Sequence, residues 1–489
     1  MTKSRWSFAT AVDTAKALAA REVSAVELAQ HAIDRIKRHD GKINAICVRD
    51  FDRALEAARA ADAALARGET RPLLGVPLTV KESFNVAGTP TTWGFPQHKD
   101  FKPAEDALAI TRVKDAGGVI LGKTNVPIAL GDWQSYNEIY GTTNNPFDLG
   151  RTPGGSSGGS SAALAAGYGP LSLGTDIGGS LRVPAFHCGI TAHKPSYGLV
   201  ATRGHLPPAL PAIPMQRDLS VIGPMARSVA DLSLLLDVLA GPDPLDAGKA
   251  YRLELPPPRH TRLQDFRVLL IATDPVMPTG KAVRGAIERL ATNLAEAGVA
   301  VVRESPLLPD FAASSRVYMR MLLSALSLGM PADAYAGAKD AAVKLATDDM
   351  SLAAERLRGI ALGHRDWLAA DGARARLKMQ WHRLFESFDA VICPIMPTPA
   401  FPHDHSPDQE QRRITIDGVD HVYTDQLTWP GIATLPGLPA TAIPLGLADG
   451  LPVGVQIVGP FLEDRTPLKL AELIEREFGG FVPPPMFDD

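Results

Sequence analysis

Two segments rich in glycine and serine carry the residues best suited to chemistry. Residues 152–161 read TPGGSSGGSS, and residues 173–182 read LGTDIGGSLR. A phosphate-binding loop would place Lys-Ser or Lys-Thr after its last glycine, and that pair is missing. A flexible linker is disfavoured because a helical run, AALAA, follows at once at 162–166. The remaining interpretation is a site built around a nucleophilic serine.

Two serines compete for the role of nucleophile. Ser156 lies in a G-x-S-x-G pattern at 154–158, but turn-forming residues precede it instead of the strand that a nucleophile elbow requires. Ser180 follows a predicted strand at 170–175 and a tight loop at 176–180. The glycines of that loop allow four backbone N–H groups to converge as an oxyanion hole, those of Ile177, Gly178, Gly179 and Ser180. Ser180 is therefore the predicted nucleophile.

A serine hydroxyl needs a base, and none of the twelve histidines lies in a motif that is typical of a catalytic base. Lys81 ends an apolar run, LLGVPLTVK at 73–81, which reads as a buried strand. Burial lowers the pKa of a lysine from its usual value of about 10.4, so an uncharged Lys81 would accept a proton at neutral pH. A solvated charge is the commoner state of a lysine at a strand end, and both interpretations remain open at this point.

The surrounding sequence predicts an α/β fold that positions these residues. Helical periodicity alternates with short apolar runs in a helix, glycine, strand rhythm. Between 131 and 224 the composition shifts to glycine, serine, threonine, proline and asparagine, a length of loop-rich chain that is typical of a functional region. The length of 489 residues admits one large domain or two. Further strands are predicted at 119–121, 268–272, 299–302, 390–394, 440–444 and 453–458, and helices at 52–67, 106–116, 281–297, 312–388 and 464–478.

Composition excludes several classes of protein. The formal charge of −4, from 50 basic and 54 acidic residues, leaves no basic excess to bind nucleic acid. Three widely spaced cysteines, Cys47, Cys188 and Cys393, fit neither a disulfide framework nor a zinc site. The N-terminal residues lack a signal-peptide core, and no apolar run approaches the length of a membrane span. We therefore expect a soluble cytoplasmic protein with no membrane partner.

Eight short motifs occur densely over 71–239 and again near the C-terminus. They are GVPLTVK at 75–81, GKTN at 122–125, GTTNNP at 141–146, PGGSSGGS at 153–160, GTDIGGS at 174–180, KP at 194–195, GLPA at 437–440 and GLPVGVQIVG at 450–459. In type and order these motifs resemble those of the amidase signature family of serine hydrolases, and together they are far more specific than one G-x-S-x-G pattern.

This resemblance implies an α/β fold with a large mixed β-sheet covered by helices on both faces. It also implies a single amidase domain over residues 1–489. Within it we expect a signature core at about 71–239, a helical region that shapes the substrate pocket at about 312–388, and C-terminal core strands and a helix at about 389–478. A loop at 203–218 is expected to supply further pocket wall.

The resemblance also assigns roles to individual residues. It implies Ser180 as the nucleophile, Ser156 as the bridging serine, Lys81 as the base, and a cis peptide bond between Gly155 and Ser156. The expected reaction passes through an acyl-enzyme, which water cleaves by the same proton relay, with no metal or cofactor required. Residues expected to support the two serine loops are Gly155, Ser157, Thr175, Asp176 and Arg182, although ordinary turn hydrogen bonding explains the last four equally well.

Some positions depart from the family pattern or carry weaker signals. Glu82, His193 and Thr434 replace the residues usual at their positions, which leaves the shape of the pocket open. His403 and His405 are better explained by a surface loop than by a metal site. An apolar helical stripe predicts core packing, with an acyl-pocket wall as the alternative; it consists of Met319, Leu322, Leu323 and Leu326.

Three functions are consistent with the sequence. The leading hypothesis is a stand-alone amidase acting on a small-molecule carboxamide or aryl amide, because the segment at 126–137 resembles such enzymes more closely. The second is the glutaminase subunit of a tRNA-dependent amidotransferase, which works with partner proteins. The third is a catalytically silent binding protein on the same fold. A homodimer, the commonest assembly of soluble proteins, is left open.

Overall fold

The computed structural model describes residues 3–487 and is built on an eleven-stranded mixed sheet. The strand order is β1-β3-β2-β6-β8-β7-β14-β15-β11-β9-β10, and β4-β5 and β12-β13 form separate hairpins. The strands are β1 (Ile46–Arg49), β2 (Pro77–Lys81), β3 (Val119–Thr124), β4 (Tyr136–Asn137), β5 (Gly141–Thr142), β6 (Leu171–Asp176), β7 (Thr191–Lys194), β8 (Val221–Ala226), β9 (Arg267–Leu270), β10 (Ala300–Val302), β11 (Ala390–Cys393), β12 (Arg413–Ile416), β13 (Val419–Val422), β14 (Ala440–Ala448) and β15 (Leu451–Val458).

Fourteen α-helices lie within the described residues and cover the sheet. Ser24 and Glu27 form a capping box at the start of the second of them, with both reciprocal hydrogen bonds present. The helices are α1 (Ala11–Ala19), α2 (Ala25–Ile43), α3 (Phe51–Ala66), α4 (Leu108–Asp115), α5 (Gly158–Ala165), α6 (Arg182–His187), α7 (Val229–Leu239), α8 (Lys281–Glu296), α9 (Phe311–Leu326), α10 (Ala332–Val343), α11 (Leu352–Ile360), α12 (His364–Ser387), α13 (Thr428–Thr434) and α14 (Arg465–Phe478).

The centre of the sheet brings the predicted site residues together. β2 runs parallel to β6 and pairs Leu78 with Leu171, so the carboxyl ends of the two strands meet at the same edge. Lys81 is the last residue of β2, and Thr175 and Asp176 end β6. Every residue of both strands is buried, as their nearly continuous apolar sequences predict.

The glycine- and serine-rich region is densely packed. Residues 131–224 contain α5, β6, α6, β7 and the first four residues of β8, and all eight residues of α5 are buried. A Cβ on Gly159, in the first turn of α5, would collide with the backbone nitrogen of Asn125, which follows β3. Small residues therefore allow this helix to approach the sheet closely.

The predicted α/β class and mixed sheet are confirmed. The helical region expected at 312–388 consists of four helices, α9 to α12. In the part of the chain that the structure describes, no helix combines the length and the apolar character needed to cross a membrane.

Candidate active site

Lys81 lies at the centre of the candidate site. This residue is fully buried, and its Nζ donates hydrogen bonds to Ser156 Oγ at 2.7 Å and to Thr175 Oγ1 at 2.9 Å. Thr175 comes from the neighbouring strand β6, and Ser156 lies in the loop that leads into α5. The strand pairing and this loop together hold the lysine nitrogen between two hydroxyls.

Burial changes the acidity of this lysine. Removal from water lowers the pKa of Lys81 from 10.5 to about 7, although the nearby Asp176 carboxylate raises it in part. A substantial fraction of Lys81 is therefore uncharged at neutral pH. An uncharged amine that already contacts a serine hydroxyl is able to accept its proton.

The loop of Ser156 has the geometry that the family resemblance implies. The peptide bond between Gly155 and Ser156 is cis. A side chain on Gly155 would collide with the backbone carbonyl of Asp132 and lie 2.8 Å from the nitrogen of Gln134. The Ser157 hydroxyl lies 3.4 Å from both the nitrogen and the carbonyl oxygen of Thr175, which ties this loop to β6.

Ser180 follows β6 by four residues and reaches a cavity. The residue is 6% exposed and lines a pocket of about 200 Å³. The Ser157 N–H donates to its carbonyl at 3.2 Å, so the two serine loops are in contact. The hydroxyls of Ser156 and Ser180, both among the described residues, do not hydrogen-bond to each other in this structure. Catalytic hydrogen bonds are often long without a bound substrate, so the outer link of the relay is open here.

One of the four amides expected in the oxyanion hole is already occupied. The Gly179 N–H donates to Asp176 Oδ1 at 3.0 Å, because the carboxylate at the end of β6 lies beneath the loop. The amides of Ile177, Gly178 and Ser180 have no hydrogen-bond partner within residues 3–487. Ile177, Gly178 and Ser180 also line the pocket, so these three residues are the available oxyanion site.

Asp176 and Arg182 form a fully buried ion pair. Burial disfavours ionisation of Asp176, but the Arg182 guanidinium outweighs it and holds the pKa of this carboxyl below its usual value. Arg182 also donates to the carbonyl of Pro430, to Gln456 Oε1 at 2.6 Å and to Thr434 Oγ1 at 2.9 Å. The pair therefore anchors the Ser180 loop to α13 and β15.

The three positions that depart from the family pattern make buried structural contacts. Glu82 accepts the N–H groups of Thr92 and Trp93 at 2.6 and 3.0 Å. His193 bonds to Thr441 and to Asp464 Oδ1, and Thr434 accepts a hydrogen bond from Arg182. None of these side chains hydrogen-bonds to Lys81, Ser156 or Ser180 in the described part of the chain.

The pocket beside Ser180 is largely apolar. Three members of the predicted stripe on α9, Leu322, Leu323 and Leu326, line it, whereas Met319 is fully buried outside the lining. The loop at 203–218 contributes no lining residue within the described chain, so that expectation is wrong; Asp218 instead pairs with Arg374 on α12. The remaining apolar and aromatic wall consists of Leu130, Trp133, Ile177, Tyr423 and Leu427.

Several of these wall residues were missed by sequence reasoning. Trp133, Tyr423 and Leu427 come from segments that are far apart in sequence, and no local pattern links them to Ser180. The charged residues of the wall, Asp132, Arg356 and Glu410, all form ion pairs. Asp132 pairs with Arg412 at 2.6 Å, and Arg356 pairs with Glu410 and with Asp425; Arg412 and Asp425 lie outside the lining.

The weaker candidates show no sign of a second centre. His403 bonds to Asn144, and His405 stacks on Tyr136 with ring centroids 3.7 Å apart. Among the described residues, no group of three or more His, Cys, Asp or Glu side chains could hold a metal ion. All three cysteines are free; Cys188 and Cys393 are buried and Cys47 is half-buried.

Comparisons with known proteins identify the family of the chain. The family described as Amidase matches residues 27–468. A glutamyl-tRNA(Gln) amidotransferase subunit from Acidothermus cellulolyticus is 36% identical over 498 residues, covering 96% of this chain and 94% of that protein. The protein of the same name from Roseiflexus sp. is 34% identical, covering 95% of each chain.

Solved structures share the fold over nearly the whole chain. A protein from a vestigial complex, studied for the origins of an s-triazine catabolic enzyme, has 29% identity and a TM-score of 0.78, covering 96% of this chain and 98% of its own. A bacterial aryl acylamidase has a TM-score of 0.80 and covers 96% of each chain; at 24% identity it supports the fold alone. The chain belongs to the amidase signature family and is a hydrolase of carbon–nitrogen amide bonds.

Proposed function

We propose that this protein is a stand-alone amidase that cleaves small amides with an apolar acyl group. The observation that carries the proposal is the hydrogen bond from Lys81 Nζ to Ser156 Oγ, at 2.7 Å, in a buried position where the pKa of the lysine falls to about 7. A neutral amine in contact with a hydroxyl supplies the base that a serine nucleophile needs.

The reaction proceeds in two stages. Ser180 Oγ attacks the substrate carbonyl while its proton passes through the Ser156 hydroxyl to Lys81. The carbonyl oxygen becomes an oxyanion and accepts backbone N–H bonds from the loop at 177–180. The relay then returns the proton to the departing amine, and water releases the acid from the acyl-enzyme by the same route.

The pocket argues for an apolar acyl group. Leu322, Leu323 and Leu326 line one wall, and a cavity of about 200 Å³ accommodates a short alkyl or aryl chain. The charged residues of its wall already pair within the protein, so a cationic substrate group would have to displace Arg412 from Asp132, and an anionic group would have to displace Glu410 or Asp425 from Arg356.

A second candidate function is the glutaminase subunit of a tRNA-dependent amidotransferase. It is favoured by relatives named as amidotransferase subunits, which are 34–36% identical over 94–95% of their length. Under this alternative, glutamine hydrolysis would depend on partner proteins, which would also copurify with the chain.

The test compares purified protein with Ser180→Ala on hexanamide, benzamide and glutamine. We expect release of ammonia from the two apolar amides without added partners, no turnover by Ser180→Ala, and labelling of Ser180 by an alkyl phosphonate. Ser387→Ala, on the exposed end of α12, is the matched control. Unchanged hydrolysis by Ser180→Ala would exclude the mechanism. The second candidate would be favoured if glutamine were the only one of the three substrates hydrolysed and if its hydrolysis required partner proteins.

A further inference from the structure

The loop that carries Ser180 is held by two aromatic side chains. The Tyr318 hydroxyl donates to the carbonyl of Ile177 at 2.7 Å, and the Trp133 indole Nε1 donates to the carbonyl of Gly178 at 2.9 Å. Both residues are buried, with 1% and 5% exposure. Tyr318 lies on α9 and Trp133 lies between β3 and β4, so two segments that are far apart in sequence donate hydrogen bonds to consecutive peptide groups.

These contacts set the direction of backbone N–H groups. In a trans peptide the carbonyl and the following N–H point in opposite directions. A donor on the Ile177 carbonyl therefore fixes the direction of the Gly178 N–H, which has no partner among the described residues. The Gly178–Gly179 peptide is held at both ends, by Trp133 on the carbonyl and by Asp176 on the N–H.

The next peptide group is fixed by the backbone. The Val183 N–H donates to the carbonyl of Gly179 at 2.7 Å, so the Ser180 N–H points away from α6. The carbonyls of residues 177–179 thus all accept a hydrogen bond, while the N–H groups of Gly178 and Ser180 remain available. Such prior alignment is what makes an oxyanion hole effective, because no reorganisation is needed as charge develops.

The glycines make this support necessary. Gly178 and Gly179 lack the Cβ that restricts other residues, and Gly179 has a φ of +92°. A peptide group between two glycines reorients at little steric cost unless its polar atoms are held. The aromatic donors supply that restraint from outside the loop.

We propose that Tyr318 and Trp133 are positioning residues that align the oxyanion-binding amides of Gly178 and Ser180. This inference rests on the proposed function. Tyr318 fixes the direction of the Gly178 N–H. Trp133 prevents rotation of the Gly178–Gly179 peptide group, which lies between the N–H groups of Gly178 and Ser180.

The surroundings of both rings support this role. The backbone N–H of Trp133 donates to the Tyr423 hydroxyl at 3.2 Å, and its carbonyl accepts from Thr152 Oγ1 at 3.1 Å. Tyr318 packs on Gly431 of α13, where a Cβ would lie 2.5 Å from the tyrosine ring. The backbone of Trp133 and the ring of Tyr318 are thus held by contacts outside the loop that the two side chains orient.

The segment that carries Trp133 also contacts the second serine loop. Residues 132–134 are the backbone against which Gly155 packs, next to Ser156. One short segment therefore contacts the loops of both serines, so a displacement of Trp133 affects their relative position as well as the oxyanion site.

The test uses Tyr318→Phe and Trp133→Phe, which remove one donor each and keep an aromatic ring. Each variant is assayed on an apolar amide and on the matching thioamide, whose sulfur is a weak hydrogen-bond acceptor. We expect kcat for the amide to fall about tenfold in each variant with KM within about twofold, while the thioamide rate changes little. The ratio of amide to thioamide rates should therefore fall about tenfold. Tyr251→Phe, at a 70% exposed tyrosine, is the matched control and should behave as the wild type.

A second variant covers the case in which a tyrosine change perturbs folding. Gly431→Ala leaves both donors in place but displaces the Tyr318 ring, and it should lower the same ratio. The inference is overturned if both donor variants keep the wild-type ratio, or if amide and thioamide rates fall equally. Failure of the proposed function is distinguishable, because the wild type would then show no Ser180-dependent turnover of the apolar amide.

Discussion

Arg182 grips Asp176 through two parallel hydrogen bonds, with Nη2 2.9 Å from Oδ1 and Nε 3.0 Å from Oδ2. The same carboxylate accepts the N–H groups of Gly179 and Leu181, on either side of Ser180. A single buried ion pair therefore joins the end of β6 to the turn that presents Ser180.

Replacement of Arg182 should destabilise the protein strongly. A lysine in Arg182→Lys keeps the charge but cannot form the planar fork or bond to Gln456 and Thr434 simultaneously. Because hydrogen bonds of a charged group are lost while the charge remains, we expect a loss of about 1.5 to 3 kcal/mol in the free energy of unfolding, measured by denaturant titration. Arg262→Lys, in an exposed pair with Asp265, is the control and should leave the free energy of unfolding close to the wild-type value. A small loss in Arg182→Lys would mean that the fork geometry is unimportant.

Activity should rise with pH through the titration of Lys81. Burial lowers the pKa of this lysine to about 7, and only its neutral form accepts a proton. For an uncharged amide, kcat/KM should rise about tenfold per pH unit below pH 7 and level off above it. Asp176 stays ionised in that range because Arg182 holds its pKa low, and burial keeps the pKa of His205 well below 6.5. A flat profile, or wild-type activity in Lys81→Ala, would contradict the role of Lys81.

The same buried lysine should make folding stability depend on pH. Its pKa is about 7 in the folded chain and 10.5 in the reference state, so between these values the unfolded chain binds one more proton. The contribution of this lysine to the free energy of unfolding therefore rises with pH across that window, by about 1.4 kcal/mol per pH unit. Below pH 7 the protein bears the full free-energy penalty of burying a charged lysine. Lys81→Met removes this slope, which unfolding titrations of both proteins at pH 7.5 and 9 measure. Parallel changes with pH in the two proteins would be inconsistent with a depressed pKa.

The leucines of α9 should set the length of the acyl chain. Leu323 and Leu326 line the cavity beside Ser180, so Leu326→Ala adds volume at its wall. One additional methylene buried there contributes about 0.8 kcal/mol, or about fourfold in kcat/KM. A series of linear amides should therefore reach its optimum at a longer chain in Leu326→Ala than in the wild type. Leu328→Ala, at a 67% exposed leucine beyond the pocket, should leave the optimum unchanged.

The sequence predicts the parts of the site that local patterns encode. The apolar run ending at Lys81 and the short strand before Asp176 indicate two buried strands, and the glycines at 178–179 indicate a tight loop. The occupied amide of Gly179 has no such local signal, because it depends on where the Asp176 carboxylate lies after folding. Trp133 and Tyr318 are separated from their carbonyl partners by 45 and 141 residues, and no periodic pattern in the sequence indicates contacts over such separations.

The pairing of β2 with β6 has a kinetic consequence. Leu78 lies opposite Leu171, and Ser156, one of the two residues whose hydroxyls bond to Lys81, is 75 positions away in the chain. Forming these contacts requires closure of long loops, which slows folding relative to local helix formation. After dilution from denaturant, helical circular dichroism should therefore recover first, and hydrolytic competence should appear only when the central parallel strands have docked.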